Sequence, residues 1–167
     1  MQLPRKLVKF DMFLNGNSYA GLITELTLPV LTLQTIEYQS GGMDMPVELE
    51  MGMEKLEASF VLGEYSPEVF GVFGFQNNGR QNIIARGSMK LFNQNAPIVA
   101  SMRGIVKQID MGSWQAGEDS SMTFMMNPYY YKLEIAGQKV IEVDAETGKR
   151  LIGGSDQLEA VRRAILL

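Results

Sequence analysis

Along most of this chain apolar and polar side chains alternate every second residue, the spacing of a strand with one face turned inward. Leu22, Thr24, Leu26 and Leu28 alternate with Ile23, Glu25, Thr27 and Pro29. Beyond Pro29 the leucines fall on odd positions, Leu31 and Leu33, so the apolar face switches and Pro29 marks a bulge or bend. The return run does the same. Val47, Leu49, Met51 and Met53 share one face, with Glu48, Glu50 and Glu54 opposite. Leu56, Ala58, Phe60 and Leu62 then fall on even numbers, which places an extra residue near 52–55. Two strands broken once each and joined by "YQSGGMDMP" predict a long bent hairpin over residues 22–62.

The other elements follow from turn and cap signals. Asn15-Gly16-Asn17 between two apolar runs predicts a hairpin within "KFDMFLNGNSYAGLITEL". Ser66 as a cap, Pro67 in the first turn and Glu68 near the positive end of the dipole predict a short helix running to about Gly74. "GRQNIIARGSMKLF" and "APIVASMRGIVKQIDM" read as an antiparallel pair, and further strands turn near Ala136-Gly137-Gln138. Asp156 and Glu159 have capping-box spacing, with Leu158, Val161 and Ile165 as one apolar stripe of a terminal helix. The pattern predicts a mainly β, antiparallel single domain over 1–167, with an N-terminal arm at 1–12 and a C-terminal helical arm at 155–167. A hairpin with one oily and one acidic face cannot bury the oily face by itself, and long edge strands invite pairing with another copy.

Composition narrows the chemistry. The 15 basic and 19 acidic residues leave a net charge of −4, which disfavours electrostatic clamping of nucleic acid. Cysteine and histidine are both absent. Disulfides, thiolate sites, thiol nucleophiles and imidazole proton shuttles therefore go together. "MQLPRKLVKF" has no long apolar run after its basic residues, so neither a signal peptide nor an anchor is expected. The longest uncharged stretch, Met12 to Thr24, is too short to span a bilayer, and no stable membrane association of the monomer is expected.

Several residues invite a chemical reading. The thioethers of Met43, Met45, Met51 and Met53 suit copper(I), but the same spacing follows from a strand burying one face, and no histidine or cysteine completes a site. Glu48 and Glu50, about 6.8 Å apart on one strand face, have the separation of an inverting glycosidase pair, although solvated carboxylates on a strand are the commoner case. Trp114, between glycines and flanked by Asp110, Glu118 and Asp119, suits stacking on a sugar or base, or anchoring a loop on a neighbouring subunit. Tyr129 and Tyr131 share a face while Tyr130 points away, with no basic groove beside them for single-stranded nucleic acid. No phosphate loop, dinucleotide fingerprint or nucleophile elbow occurs, and no cofactor or metal is expected.

Longer stretches carry a family resemblance. "LPRKL" at Leu3–Leu7, "FLNGNSYAG" at Phe13–Gly21, "LTLPVL" at Leu26–Leu31 and "GGMDMPVELEMGMEKLEASF" at Gly41–Phe60 come in order along the chain. "KQIDMGSWQAGED" at Lys107–Asp119, "YYKLEIAGQKVIEVD" at Tyr130–Asp144 and the closing "GGSDQLEAVRRAILL" complete the set. Together they resemble the major tail tube proteins of contractile-tailed phages, in the branch shared with R-type tailocins. The resemblance implies a barrel- or sandwich-like fold of packed antiparallel sheets with a short flanking helix, no enzymatic activity, and stacked hexameric rings. The 22–62 hairpin would be the ring-forming element, with Glu48, Glu50 and Glu54 facing the channel. Met43, Met45, Met51, Met53, Trp114, Leu158, Val161 and Ile165 would lie at contacts between subunits or rings. The partners implied are further copies, a tail sheath protein, a tape-measure protein, baseplate hub and tail terminator proteins, and DNA in passage. The particle would be a phage virion or a tailocin, assembled in the host cytoplasm. The alternatives are the tube of a genome-free bacteriocin, the tube of a secreted puncturing system, and a small carbohydrate-binding or hydrolytic β domain using Trp114 and the carboxylates.

Overall fold

The computed structural model describes residues 1–166, the side chains of Gln76 and Asn77 excepted. Among the described residues twelve strands form an antiparallel architecture. They are β1 (Lys6–Leu14), β2 (Asn17–Ser18), β3 (Ile23–Thr27), β4 (Leu33–Tyr38), β5 (Val47–Met53), β6 (Ala58–Leu62), β7 (Gln81–Leu91), β8 (Gln94–Asp110), β9 (Met122–Ile135), β10 (Gln138–Asp144), β11 (Lys149–Ile152) and β12 (Ser155–Asp156). The main sheet runs β12-β11-β10-β9-β8-β7-β1-β2, and β4 with β5 makes a separate two-stranded sheet. β9 is the hub. One edge pairs with β8, and the other is shared by β10 near Ile135 and by β6 near Met122. Sharing one edge curls the sheet, so that Met12, Phe60, Met102, Met122, Phe124, Met126 and Tyr131 meet in one buried core. The Phe60 and Phe124 rings stack there at 4.8 Å.

Close approach at the curl depends on a glycine. A Cβ on Gly104 would lie 2.2 Å from the Asn127 carbonyl oxygen, at the point where the β8–β9 register slips. No larger residue fits there. The antiparallel β fold is as expected, but hydrogen bonds do not close it into a barrel. β1 and β3 face each other across an apolar cleft of about 90 Å³ lined by Leu7, Phe10, Leu26 and Leu28.

Local elements differ from the sequence reading in four places. The Asn15-Gly16 turn forms, but its return strand is only β2; Gly21, at φ +82°, ends it, and the run from Ile23 pairs with β6, the pairing a 22–62 hairpin calls for. The N-terminal arm shrinks from 1–12 to residues 1–5, because Lys6 onward pairs with β7. The predicted helix after Ser66 is a 3₁₀ turn over Pro67–Val72, and Ser66 Oγ lies 3.2 Å from Glu68 Oε2 instead of capping a backbone N–H. The C-terminal helix α1 is Glu159–Ala164 and has no capping box. Asp156 accepts from the Leu158 N–H and pairs with Arg162, so its carboxylate is occupied within the arm. Leu167 lies outside the described residues. Among the described residues no helix is long and apolar enough to cross a membrane.

Candidate assembly surface

The hairpin consists of two ladders in series. β3 pairs with β6 as part of the main sheet, and β4 pairs with β5 beyond it. Residues 28–32 and 54–57 join them, and the Glu54 N–H donates to the Thr32 carbonyl at 2.9 Å across the junction. Gly52 has φ +119°, a conformation other residues rarely adopt, and the β4–β5 register slips beside it. This is the parity change read from the leucine and methionine spacing, and its effect is to separate a buried half from an exposed one.

Cross-strand partners give each face of the outer ladder. Ile36 lies opposite Leu49 and Tyr38 opposite Val47 on one face, with Met51 two residues further on. Thr35 opposite Glu50 and Glu37 opposite Glu48 make the other. Among the described residues nothing covers the apolar face: Ile36 is 51% exposed, Leu49 45% and Met51 59%. Met45 is exposed near the tip, whereas Met43 and Met53 are half-buried, Met53 against the core. A bare apolar stripe on a protruding ribbon is what an interface between chains presents.

The acidic face makes one firm contact with the body. Glu50 pairs with Arg150 on β11, whose side chain is only 6% exposed. Arg150 lies opposite Val143, itself opposite the core residue Tyr131, so the guanidinium sits on the inward face of the sheet. Its Nε is buried without a partner, which makes Glu50 the main compensation for this buried charge. Glu48 and Glu54 are exposed and make no ion pair among the described residues. Glu50 is thus tethered, while the two carboxylates it was grouped with are free. Arg150 was missed in the sequence; the available signal was a charged residue at an inward position of an otherwise alternating strand.

The other singled-out residues lie elsewhere. Trp114 is 78% exposed, its ring 6.4 Å from that of Tyr65, whose hydroxyl donates to the Met111 carbonyl at 3.0 Å. The loop is therefore held at its base while the indole faces outward. In the C-terminal arm, Leu158 is half-buried and Val161 and Ile165 are exposed. Arg162 fixes the arm by donating to the Gly148 carbonyl at 3.0 Å and pairing with Asp156. That pairing holds the Asp156 carboxyl down to about 2. Tyr130 lies beneath the Arg103 guanidinium at 4.1 Å, and Tyr131 is buried, its hydroxyl pushed up to about 12 by burial. Among the described residues no group of three or more acidic side chains is placed to hold a metal ion.

A curled sheet with a tethered, apolar-faced ribbon left uncovered defines an assembly subunit. The chain belongs to the family described as phage tail tube protein FII, which it matches over residues 4–165. It is 31% identical over 170 residues to the tail tube protein of Escherichia phage P2, covering 99% of both chains. To the major tail tube protein of Serratia phage KSP20 it is 30% identical over 151 residues, covering 86% of this chain and 85% of that one. Among solved structures, the tube-terminating cap of the anti-feeding prophage shares the fold with a TM-score of 0.63 at 12% identity, over 81% of this chain and 94% of that one. A chain of the sheath–tube complex of an extracellular contractile injection system gives 0.61 at 10%, over 78% and 91%. This chain is a structural tail tube subunit of a contractile phage tail.

Proposed function

We propose that the protein assembles into hexameric rings, stacked to form a channel through which DNA passes. The observation that carries this reading is the bare face of Ile36, Leu49 and Met51 on a hairpin that the chain itself leaves uncovered. Neighbouring copies cover that face, and the hairpins join edge to edge so that no strand edge is left open. Met43, Met45, Met51 and Met53 supply adaptable packing at these contacts. Glu48 and Glu54, with Glu37, bound the lumen, where an acidic wall repels phosphate and lets the polymer slide. Glu50, which pairs with Arg150, sets the angle at which the hairpin leaves the body. Val161, Ile165 and the Trp114 loop meet adjacent copies.

By the company that similar folds keep, the partners are a sheath protein and a tube terminator. A tape-measure protein and a baseplate hub complete the set, the particle is assembled in the host cytoplasm, and the role is non-enzymatic. Both curated relatives are phage proteins, which favours a genome-carrying tail over a bacteriocin tube. Electron microscopy of the purified protein tests the reading. Sixfold rings or tubes are expected from the unmodified chain, and from a Leu49→Ser, Met51→Ser variant only monomers. A wild-type protein that stays monomeric at its highest soluble concentration ends the proposal.

A further inference from the structure

Charge is segregated along the strand axis of this protein. Residues 69–109 contain five basic side chains and no acidic one, and residues 1–10 contain three basic and none acidic. Between Lys107 and Lys132 there is no basic residue. The strand register places Arg80, Arg103 and Lys107 at mid-strand or nearer the acidic end, where Glu146, the Tyr130 ring and Glu57 engage them, and leaves other charges at two poles. Lys6 lies opposite Lys90 near the β7–β8 turn, with Arg5 and Lys9 beside it, at the end where β9 finishes at Ile135. Asp110 lies opposite Thr123 at the other end, where the loop to β9 carries Glu118 and Asp119, and Glu64 follows β6. All eight residues are exposed, and none makes an ion pair among the described residues. Lys107, three residues before Asp110 on β8, is already engaged by Glu57 at 2.5 Å.

The poles cannot neutralise each other. Twelve residues of β8 separate Ile98 from Asp110, a span of roughly 40 Å at strand rise, and screening extends only about 8 Å at physiological salt. Each pole also carries apolar surface of a kind that an interface would bury. Leu7, Val8 and Phe92 are exposed at the basic end, and Trp114 at the acidic end. Like surfaces repel and unlike surfaces attract, so two such molecules meet in one polarity only.

We propose that the basic pole, Arg5, Lys6, Lys9 and Lys90, docks on the acidic pole, Glu64, Asp110, Glu118 and Asp119, of a second copy of this chain. This sets the head-to-tail polarity and register of stacking. The inference rests on the ring-stacking reading above and adds the residues that join one ring to the next. A contact of this heterologous kind does not close on itself and propagates as an open filament, and complementary charge contributes orientation and encounter rate more than raw affinity.

The test is a charge exchange on the full chain, read by electron microscopy and sedimentation. E64K/D110K/E118K/D119K makes both poles basic, and R5E/K6E/K9E/K90E makes both acidic. Each variant alone is expected to give unstacked rings, and an equimolar mixture to restore tubes by alternation. For the unmodified protein, the fraction of stacked rings should fall about tenfold or more between roughly 0.05 and 0.5 M salt. Either variant stacking alone as well as the parent, a mixture as inert as its components, or tubes indifferent to salt overturns the proposal. Absence of rings in the unmodified protein would instead sink the assembly reading beneath it.

Discussion

Methionines contribute to the alternating apolar face both in β9 and in the outer hairpin, with opposite outcomes. Met122 and Met126 are fully buried, whereas Met45 and Met51 are 71% and 59% exposed. The local pattern is the same: a strand with one apolar face. The difference is what the topology puts opposite that face. β9 lies at the centre of a curled sheet whose other strands return across it, while β4 and β5, among the described residues, pair only with each other. A period-two stripe therefore shows that a face is to be covered, and only the arrangement of strands shows whether the cover is the same molecule or another one.

Removing an apolar side chain from each region should separate the two roles. Phe124→Ala empties a stacked core position and is expected to cost about 3–5 kcal/mol, enough to unfold much of the monomer. Leu49→Ala removes a side chain that is 45% exposed in the single chain, and should change monomer stability by under about 0.5 kcal/mol while abolishing assembly. Urea denaturation of dilute protein, set beside sedimentation of concentrated protein, measures both. A Leu49→Ala chain as destabilised as Phe124→Ala would mean that the hairpin is covered within its own molecule.

Much of this division was legible in the sequence. The parity changes at Pro29 and near Gly52 located the junction between the two ladders, because a bulge in a strand leaves its mark directly in the alternation. The β7–β8 and β9–β10 pairs were legible for the same reason. Pairings remote in sequence were not. Nothing near Phe60 shows that it will lie opposite Phe124, and nothing near Lys6 that β1 will pair with β7, since those choices are made by the body the strands fold onto. The meeting of Ile23 with Leu62, by contrast, is the pairing a 22–62 hairpin calls for. The capping-box spacing of Asp156 and Glu159 was present, but Arg162 competes for the same carboxylate and a charged pair outweighs a neutral cap. Arg150 escaped attention because a buried cation is identified by its partner, and Glu50 lies 100 residues away.

That pair joins the two regions under comparison. Removing Glu50 strands a buried guanidinium, so Glu50→Gln is expected to destabilise the monomer by about 1–3 kcal/mol; the partial exposure of Glu50 keeps the figure below that of a fully buried pair. The double variant Glu50→Leu, Arg150→Met removes both charges and should recover most of the loss, because the burial cost disappears with the charge. A double-mutant cycle by urea denaturation gives the coupling. In assembly the order should reverse: the double variant folds well but no longer sets the hairpin angle, and forms fewer rings. Equal assembly by wild type and double variant would confine the pair to folding.

The smallest effect is expected at the C-terminal arm, which is tied to the body by Arg162. Asp156 has its pKa lowered to about 2 from an ordinary 3.8, chiefly by its hydrogen bond with Arg162. A depressed carboxyl contributes stability that is complete above the unfolded value and is lost as the pH falls from about 4 towards 2. Asp156→Asn should therefore differ from wild type at neutral pH and converge with it near pH 2. The pair is half-buried at the surface, its side chains 16% and 22% exposed, and is partly screened. The shift in global Tm is therefore expected to be below about 2 °C, while amide exchange across Glu159–Ala164 should quicken measurably. The contrast with Glu50 is one of placement: the same kind of pair fixes a hairpin when its cation is buried and only steadies a terminal arm when it is not. An Asp156→Asn effect that grows as the pH drops would show that the arm is held by something other than this carboxylate.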